Sequence, residues 1–197
     1  MIRTPIALVP YLFLIAAVVS GLLSYAGDKM AGLPSGSAAI GGRFALVDQD
    51  GIARTDKDFR GRYLLIYFGY TYCPDVCPAT LAVMADAMKK LGPAGDRITP
   101  IFVTVDPARD TPKALKTYLA NFGPRFVGLT GSGDAIEKIE KAYSVYAARE
   151  PLQGGGYAMT HSNTIYLMGP NGKFLAHYEE EIGPDKLADA LRKQAGS

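Results

Sequence analysis

Cys73 and Cys77 are the only two cysteines of the chain, and they sit together in the segment TYCPDVCP. Two cysteines cannot build a multi-bridge scaffold, and a bridge between these two would close a very short loop, the least stabilising kind. Their closeness therefore points to a shared chemical task. Pro78 lacks an N–H and clashes inside a helix, so the spacing predicts Pro78 at the first helical position, Cys77 as N-cap and Cys73 in the turn before it. Sulfur at a helix start meets unpaired N–H groups, which favour thiolate over thiol. Thiolates attack disulfides and bind soft metals. Dithiol exchange proteins usually space their cysteines by two residues; here Pro74, Asp75 and Val76 intervene, and the wider bite gives two donors room to reach one ion.

The chain has two histidines. His161 comes after the glycines Gly154 to Gly156 and just before NTIYLM, which predicts a loop at the sheet end that faces the cysteines. His177 lies within an alternating strand and reads as a surface residue. Two thiolates and one imidazole form a three-donor set suited to Cu(I), which accepts low coordination and soft sulfur. A structural zinc ion asks for a fourth donor, a place that Asp75 can fill. The plainer readings are a pair of buried core thiols and a loop histidine bonded to backbone. Met84 and Met88 stand at helical spacing and read as core; Met159, close to His161, is a further candidate sulfur donor.

These residues need elements to position them. LLIYFGY, Leu64 to Tyr70, is a continuous apolar run of strand length, as expected of a strand buried on both faces. From Pro78, apolar residues Leu81, Met84, Ala85, Met88 and Leu91 recur at helical spacing up to Gly92-Pro93. ITPIFVTV, Ile98 to Val105, is a second central strand. Thr111-Pro112 opens a helix predicted to run to about Phe122. The segment RFVGLTG is a short strand, and a helix over Gly133 to Tyr146 follows it. NTIYLM and KFLAHY are strands joined at Gly169 to Gly172, and Pro184 to Gln194 is a closing amphipathic helix. In front, FALVDQDGIART alternates around Asp50-Gly51 as a hairpin. The order of hairpin, βαβα, helix, hairpin and helix predicts an α/β domain of the thioredoxin-like kind: a mixed central sheet flanked by helices, with an N-terminal β-hairpin.

The 197 residues allow one folded domain and something extra. The extra piece is at the front, where Ile6 to Tyr25 is uncharged and long enough to cross a hydrocarbon core of about 30 Å. Residues 1–26 therefore read as a transmembrane anchor; Ser24, Tyr25 and Ala26 leave a cleaved signal peptide as the rival, against which stands the length of the apolar run. Residues 27–42, rich in Gly, Ser and Ala, read as a flexible linker whose reach is on the order of 20 to 25 Å. Residues 43–197 form the folded domain. A formal net charge of +2 and the lack of clustered Lys and Arg leave no electrostatic footprint for nucleic acid.

YFGYTYCPDVCP, TVDPARDTP and HSNTIYLMGPNGKF together resemble the Sco/SenC family of copper chaperones for cytochrome c oxidase, over about Arg43 to Leu191. The resemblance implies copper, as Cu(I) or Cu(II), held by Cys73, Cys77 and His161, and a role in building the binuclear copper centre of oxidase subunit II. Cys73 and Cys77 would also form a redox disulfide. Asp106, Arg109 and Asp110 match the family's DPxRDT block, and with Asp75 they are expected to shape the rim of the site or meet partners. The implied partners are oxidase subunit II, a periplasmic thioredoxin-like reductase, other copper carriers and the membrane. The implied location is outside the cytoplasm, in a bacterial periplasm or a mitochondrial intermembrane space. Two departures stand out: Tyr72 replaces a frequent His before the first cysteine, and Thr160 replaces a frequent Asp before the ligand histidine.

Four functions are open at this point. A metal carrier needs all three donors, while a thiol-disulfide oxidoreductase needs the dithiol and not His161. A peroxidase of the peroxiredoxin kind shares the FALVDQDG start, but Thr71 and Cys73 do not reproduce its Thr-x-x-Cys spacing. A tethered interaction module would keep the cysteines as a plain disulfide.

Overall fold

The computed structural model describes residues 40–195; the expected anchor and all but the end of the expected linker lie outside them. Among the described residues, no helix is long and apolar enough to cross a membrane.

The two apolar runs become the middle of the sheet. β3 (Tyr63–Gly69) and β4 (Ile98–Thr104) are buried along their whole length and pair in parallel, from Tyr63 opposite Ile98 to Gly69 opposite Thr104. A strand covered on both faces has no polar side to alternate with, which is why these segments read as unbroken hydrophobic stretches. β8 (Thr164–Met168) lies antiparallel to β3, and β9 (Phe174–Glu179) antiparallel to β8. On the other flank β5 (Val127–Thr130) runs parallel to β4, and the hairpin of β1 (Ala45–Asp48) and β2 (Ala53–Thr55) completes the order β2-β1-β5-β4-β3-β8-β9. Asp48 pins the hairpin turn: its carboxylate accepts the N–H groups of Asp50 and Ile52, each at 2.9 Å, and pairs with Arg54 at 2.7 Å.

Helices cover both faces. α1 (Val76–Leu91) buries Leu81, Met84 and Met88, and it packs on α4 (Pro184–Ala195), which buries Leu187 and Leu191. The two methionines are core, as their spacing predicts. α2 (Pro112–Leu119) begins with the expected cap, the Thr111 hydroxyl accepting from the Ala114 N–H at 3.2 Å. It ends before Phe122, where the chain turns back through Asn121. α3 (Gly133–Tyr143) stops short of Tyr146 because Ser144 adopts a left-handed conformation, φ 56°.

Sequence reasoning missed a second, two-stranded sheet. β6 (Ala147–Pro151) and β7 (Tyr157–His161) pair antiparallel, with Ala147 opposite His161 and Pro151 opposite Tyr157. Neither strand has a buried face, so neither carries the alternation from which strands are read. His161 is therefore the last residue of a strand rather than a loop residue.

Sheet direction explains the meeting of distant segments. β3 and β4 are parallel, so the turns after Gly69 and Thr104 leave the same edge. β8 is antiparallel, so its first residue, Thr164, returns to that edge together with Glu179 of β9. A ligand site outside the carboxyl ends of parallel strands is the usual outcome of such topology.

Candidate metal centre

Two fastenings hold the cysteine loop. Gly69 allows the first: a Cβ there would stand 2.8 Å from the Cys77 Sγ and 2.8 Å from the Phe102 ring, so the helix start lies directly on the strand end. Asp110 supplies the second. Its carboxylate accepts from the Thr71 N–H at 3.0 Å, the Thr71 hydroxyl at 2.6 Å and the Thr104 hydroxyl at 2.7 Å. Burial pushes the Asp110 pKa up, and the threonine donors hold it down.

α1 starts earlier than Pro78 predicts. Asp75 is the N-cap, Val76 the first helical residue, and Cys77 and Pro78 follow inside the first turn. Proline is accommodated there because no N–H of the first turn has an intrahelical acceptor. One turn of helix thus carries Cys77 inward, and it is 0% exposed, while Cys73 stays half-buried at the mouth. Both cysteines are free.

The two thiols differ sharply. The Cys73 pKa is lowered to about 5, first by a hydrogen bond from the Cys77 thiol, then by the backbone N–H groups of Cys77 and Asp75 and by His161, against the opposing effect of burial. The Cys77 N–H donates to the Cys73 Sγ at 3.4 Å. Cys77 is pushed up by the neighbouring Cys73 and by burial. Cys73 is thus the thiolate and Cys77 the protonated partner. Asp75 serves this pair through its backbone.

His161 faces the sulfurs with its open nitrogen. Nε2 lies 3.4 Å from the Cys77 Sγ, and Nδ1 lies 3.0 Å from the Ser162 carbonyl oxygen. A carbonyl only accepts, so Nδ1 carries the proton and Nε2 presents a lone pair in the neutral ring. A sulfur and an imidazole nitrogen sharing one tetrahedral ion at about 2.3 and 2.0 Å stand roughly 3.5 Å apart. The observed separation fits. Among the described residues, no three His, Cys, Asp or Glu side chains are already arranged to hold an ion, so the donors are adjacent rather than closed.

Several contributors carry no motif signal. Tyr67 and Tyr70 place their rings edge-on to the imidazole, 6.2 and 5.8 Å away between centroids, and the Tyr67 hydroxyl reaches the Cys77 Sγ at 3.8 Å. Tyr157 donates its hydroxyl to Asp106 at 2.8 Å, beside the Asp106–Arg109 ion pair. Glu180, just past β9, interacts electrostatically with His161 and Cys73, and its Oε2 is buried without a hydrogen-bond partner. Asp106 and Asp110 are buried, and Arg109 is half-buried beside them. His177 lies apart on β9, exposed and stacked on Phe174. Met159 packs against the core.

The fold and site define a thioredoxin-like domain whose dithiol is faced by an imidazole. Residues 33–196 match the SCO1/SenC family, and the chain belongs to it. The mitochondrial SCO1 homolog 1 of Arabidopsis thaliana is 37% identical over 164 residues, which are 83% of this chain and 49% of that protein. The chain thus spans about half the length of that curated relative. The solved Bradyrhizobium japonicum ScoI with copper bound is 42% identical, with a TM-score of 0.74 over 79% of this chain and 99% of that one. BsSco, described with a disulfide switch and as a member of the Sco family of cytochrome c oxidase assembly proteins, is 28% identical, with a TM-score of 0.64 over 81% of this chain and 95% of that one.

Proposed function

We propose that this chain is a copper carrier that loads an ion on Cys73, Cys77 and His161 and delivers it to the binuclear copper centre of cytochrome c oxidase subunit II. The supporting observation is the 3.4 Å approach of the His161 Nε2, lone pair outward, to the Cys77 Sγ. The donors suit copper: two sulfurs satisfy soft Cu(I), and the imidazole extends the set toward Cu(II). The ion is cargo, so a site of adjacent, unclosed donors is an advantage for release. Metal entry displaces the Cys77 proton, which couples loading to pH. The relatives' copper-bound form and their oxidase-assembly description support the same reading.

The apolar run of residues 6–25 supports a membrane tether, with residues 27–42 as linker and the domain outside the cytoplasm. In an oxidising compartment the cysteines close to a disulfide and lose their donors, so a thioredoxin-like reductase and an upstream copper carrier complete the cycle.

A second reading rests on the thiol asymmetry. The Cys73 thiolate attacks a substrate disulfide and releases one substrate thiolate, which is then protonated. Cys77 loses its proton and attacks the mixed disulfide, leaving Cys73–Cys77 oxidised and the substrate a dithiol, two electrons richer. His161→Ala separates the readings. The carrier predicts loss of Cu(II) binding with exchange activity intact; unchanged copper binding in this variant would sink it in favour of the oxidoreductase.

A further inference from the structure

His161 reaches the sulfurs from the β6–β7 hairpin, which shares no ladder with the main sheet. An isolated two-stranded hairpin is marginal in water. Its tip offers no support: Gly154, Gly155 and Gly156 all have positive φ, and an added Cβ would meet nothing within 4 Å at any of them. At its base, Tyr146 and Ser162 exchange two hydrogen bonds of 3.0 Å. What secures its length is Arg109.

Arg109 belongs to the DPARD turn after β4, and it binds both sides of the site. On the hairpin, its Nη1 donates to the Tyr157 carbonyl oxygen at 3.0 Å and its guanidinium lies 3.9 Å from the Tyr157 ring centroid. On the cysteine loop, the same guanidinium lies 4.8 Å from the Tyr72 ring and 5.8 Å from the Tyr70 ring. Asp106, 0% exposed, braces the hairpin side: it pairs with Arg109 and accepts the Tyr157 hydroxyl. Arg149 adds a second cation over Tyr157 at 4.7 Å, with its guanidinium 3.8 Å from Asp106. Tyr70 bonds the Met159 backbone, again joining cysteine loop to hairpin. In a strand, residues 157 and 161 lie on one face, so an anchor at Tyr157 sets where His161 points.

We propose that Arg109, Asp106 and Tyr157 form a clasp whose role is positional: it holds the β6–β7 hairpin against the cysteine loop and thereby sets the reach of His161 toward the sulfurs. This inference rests on the copper-carrier reading, but part of it is testable without metal. A planar guanidinium stacks on rings and donates in fixed directions, and a lysine does not reproduce both. The Tyr72 departure acquires a use here, since a ring at this position supplies one face of the cage.

The experiment uses the full chain in detergent, reduced, as wild type, Arg109→Gln, Arg109→Lys and Tyr157→Phe. Without metal, hydrogen exchange follows the amides of residues 147–161 against those of β3 and β4, and NMR follows the His161 ring protons, which Tyr67 and Tyr70 shift. The clasp predicts exchange about tenfold faster in the hairpin alone for Arg109→Gln, with Arg109→Lys and Tyr157→Phe between it and wild type, and His161 shifts moving toward those of an unstacked ring. With Cu(II), Arg109→Gln should weaken the sulfur-to-copper charge-transfer band and release copper about tenfold faster. Unchanged hairpin exchange, or exchange raised equally in β3 and β4, would overturn the clasp. Wild-type protein that binds no copper would instead overturn the carrier reading, while the metal-free arm still decides whether the hairpin is clasped.

Discussion

The His161 Nε2 stands 3.4 Å from the Cys77 Sγ although 84 residues separate them in sequence. The contact exists because β8 returns antiparallel to β3 and brings His161, the end of β7 three residues ahead of Thr164, to the strand end from which the cysteine loop leaves. Arg109 bridges that loop and the hairpin that carries the imidazole.

The two cysteines should separate by stability. Both Cys73→Ala and Cys77→Ala are expected to lose stoichiometric copper, measured by metal analysis after loading. Cys77 is fully buried and Cys73 is not, so only Cys77→Ala opens a core cavity, at a cost of about 1–2 kcal/mol. Urea titrations of the reduced, metal-free proteins, run below the Cys73 pKa of about 5 where its thiolate no longer contributes, would show it; equal stabilities there would contradict the burial asymmetry.

Cys73 should alkylate as a thiolate well below neutral pH. With its pKa lowered to about 5, the iodoacetamide rate of the reduced, metal-free protein is expected to rise with a midpoint near that value, while Cys77 stays slow through neutrality. The stability sign follows. A thiol whose folded pKa lies below its unfolded value contributes stability that is fully present above the unfolded pKa, about 8.5, and lost as pH falls through the folded value. Reduced protein should therefore gain stability between about pH 5 and 8.5. Above that range Cys77, displaced upward, works in the opposite direction. A pH-independent denaturation midpoint across the window would refute the assignment.

Asp110 should matter for stability as well as for the site. Asp110→Ala strands two buried or half-buried threonine hydroxyls and the Thr71 N–H, and leaving such donors unmet costs roughly 2–4 kcal/mol in total. Asp110→Asn keeps the shape but loses acceptor capacity, so it should fall between. Because Thr71 starts the cysteine loop, copper release should accelerate in both variants, read by transfer to a competing chelator.

Gly69→Ala tests the closeness of helix and strand. Its new methyl would meet the Cys77 Sγ and Phe102 at 2.8 Å each, and overpacking of this kind costs about 1–3 kcal/mol. The shift of Cys77 should also change the charge-transfer spectrum of loaded protein. A variant with wild-type stability and spectrum would show that the contact relaxes freely.

The sequence by itself determined whatever short-range chemistry encodes. The unbroken apolar runs of β3 and β4, the helical spacing of Leu81, Met84 and Met88, the Thr111-Pro112 start of α2 and the paired cysteines after a buried strand are legible because each is dictated by neighbours a few residues away. Cys77 is the informative miss. Pro78 signals a first helical turn without saying which of its positions it occupies, so the inward aim of Cys77 depended on where the helix docks over Gly69. Only the tertiary structure decided that His161 ends a strand, that Arg109 lies between Tyr72 and Tyr157, and that Asp110 fastens Thr71. Those pairings cross the sheet edge between segments far apart in the chain, and their energies come from packing and hydrogen bonds that exist only once β3, β4 and β8 are aligned.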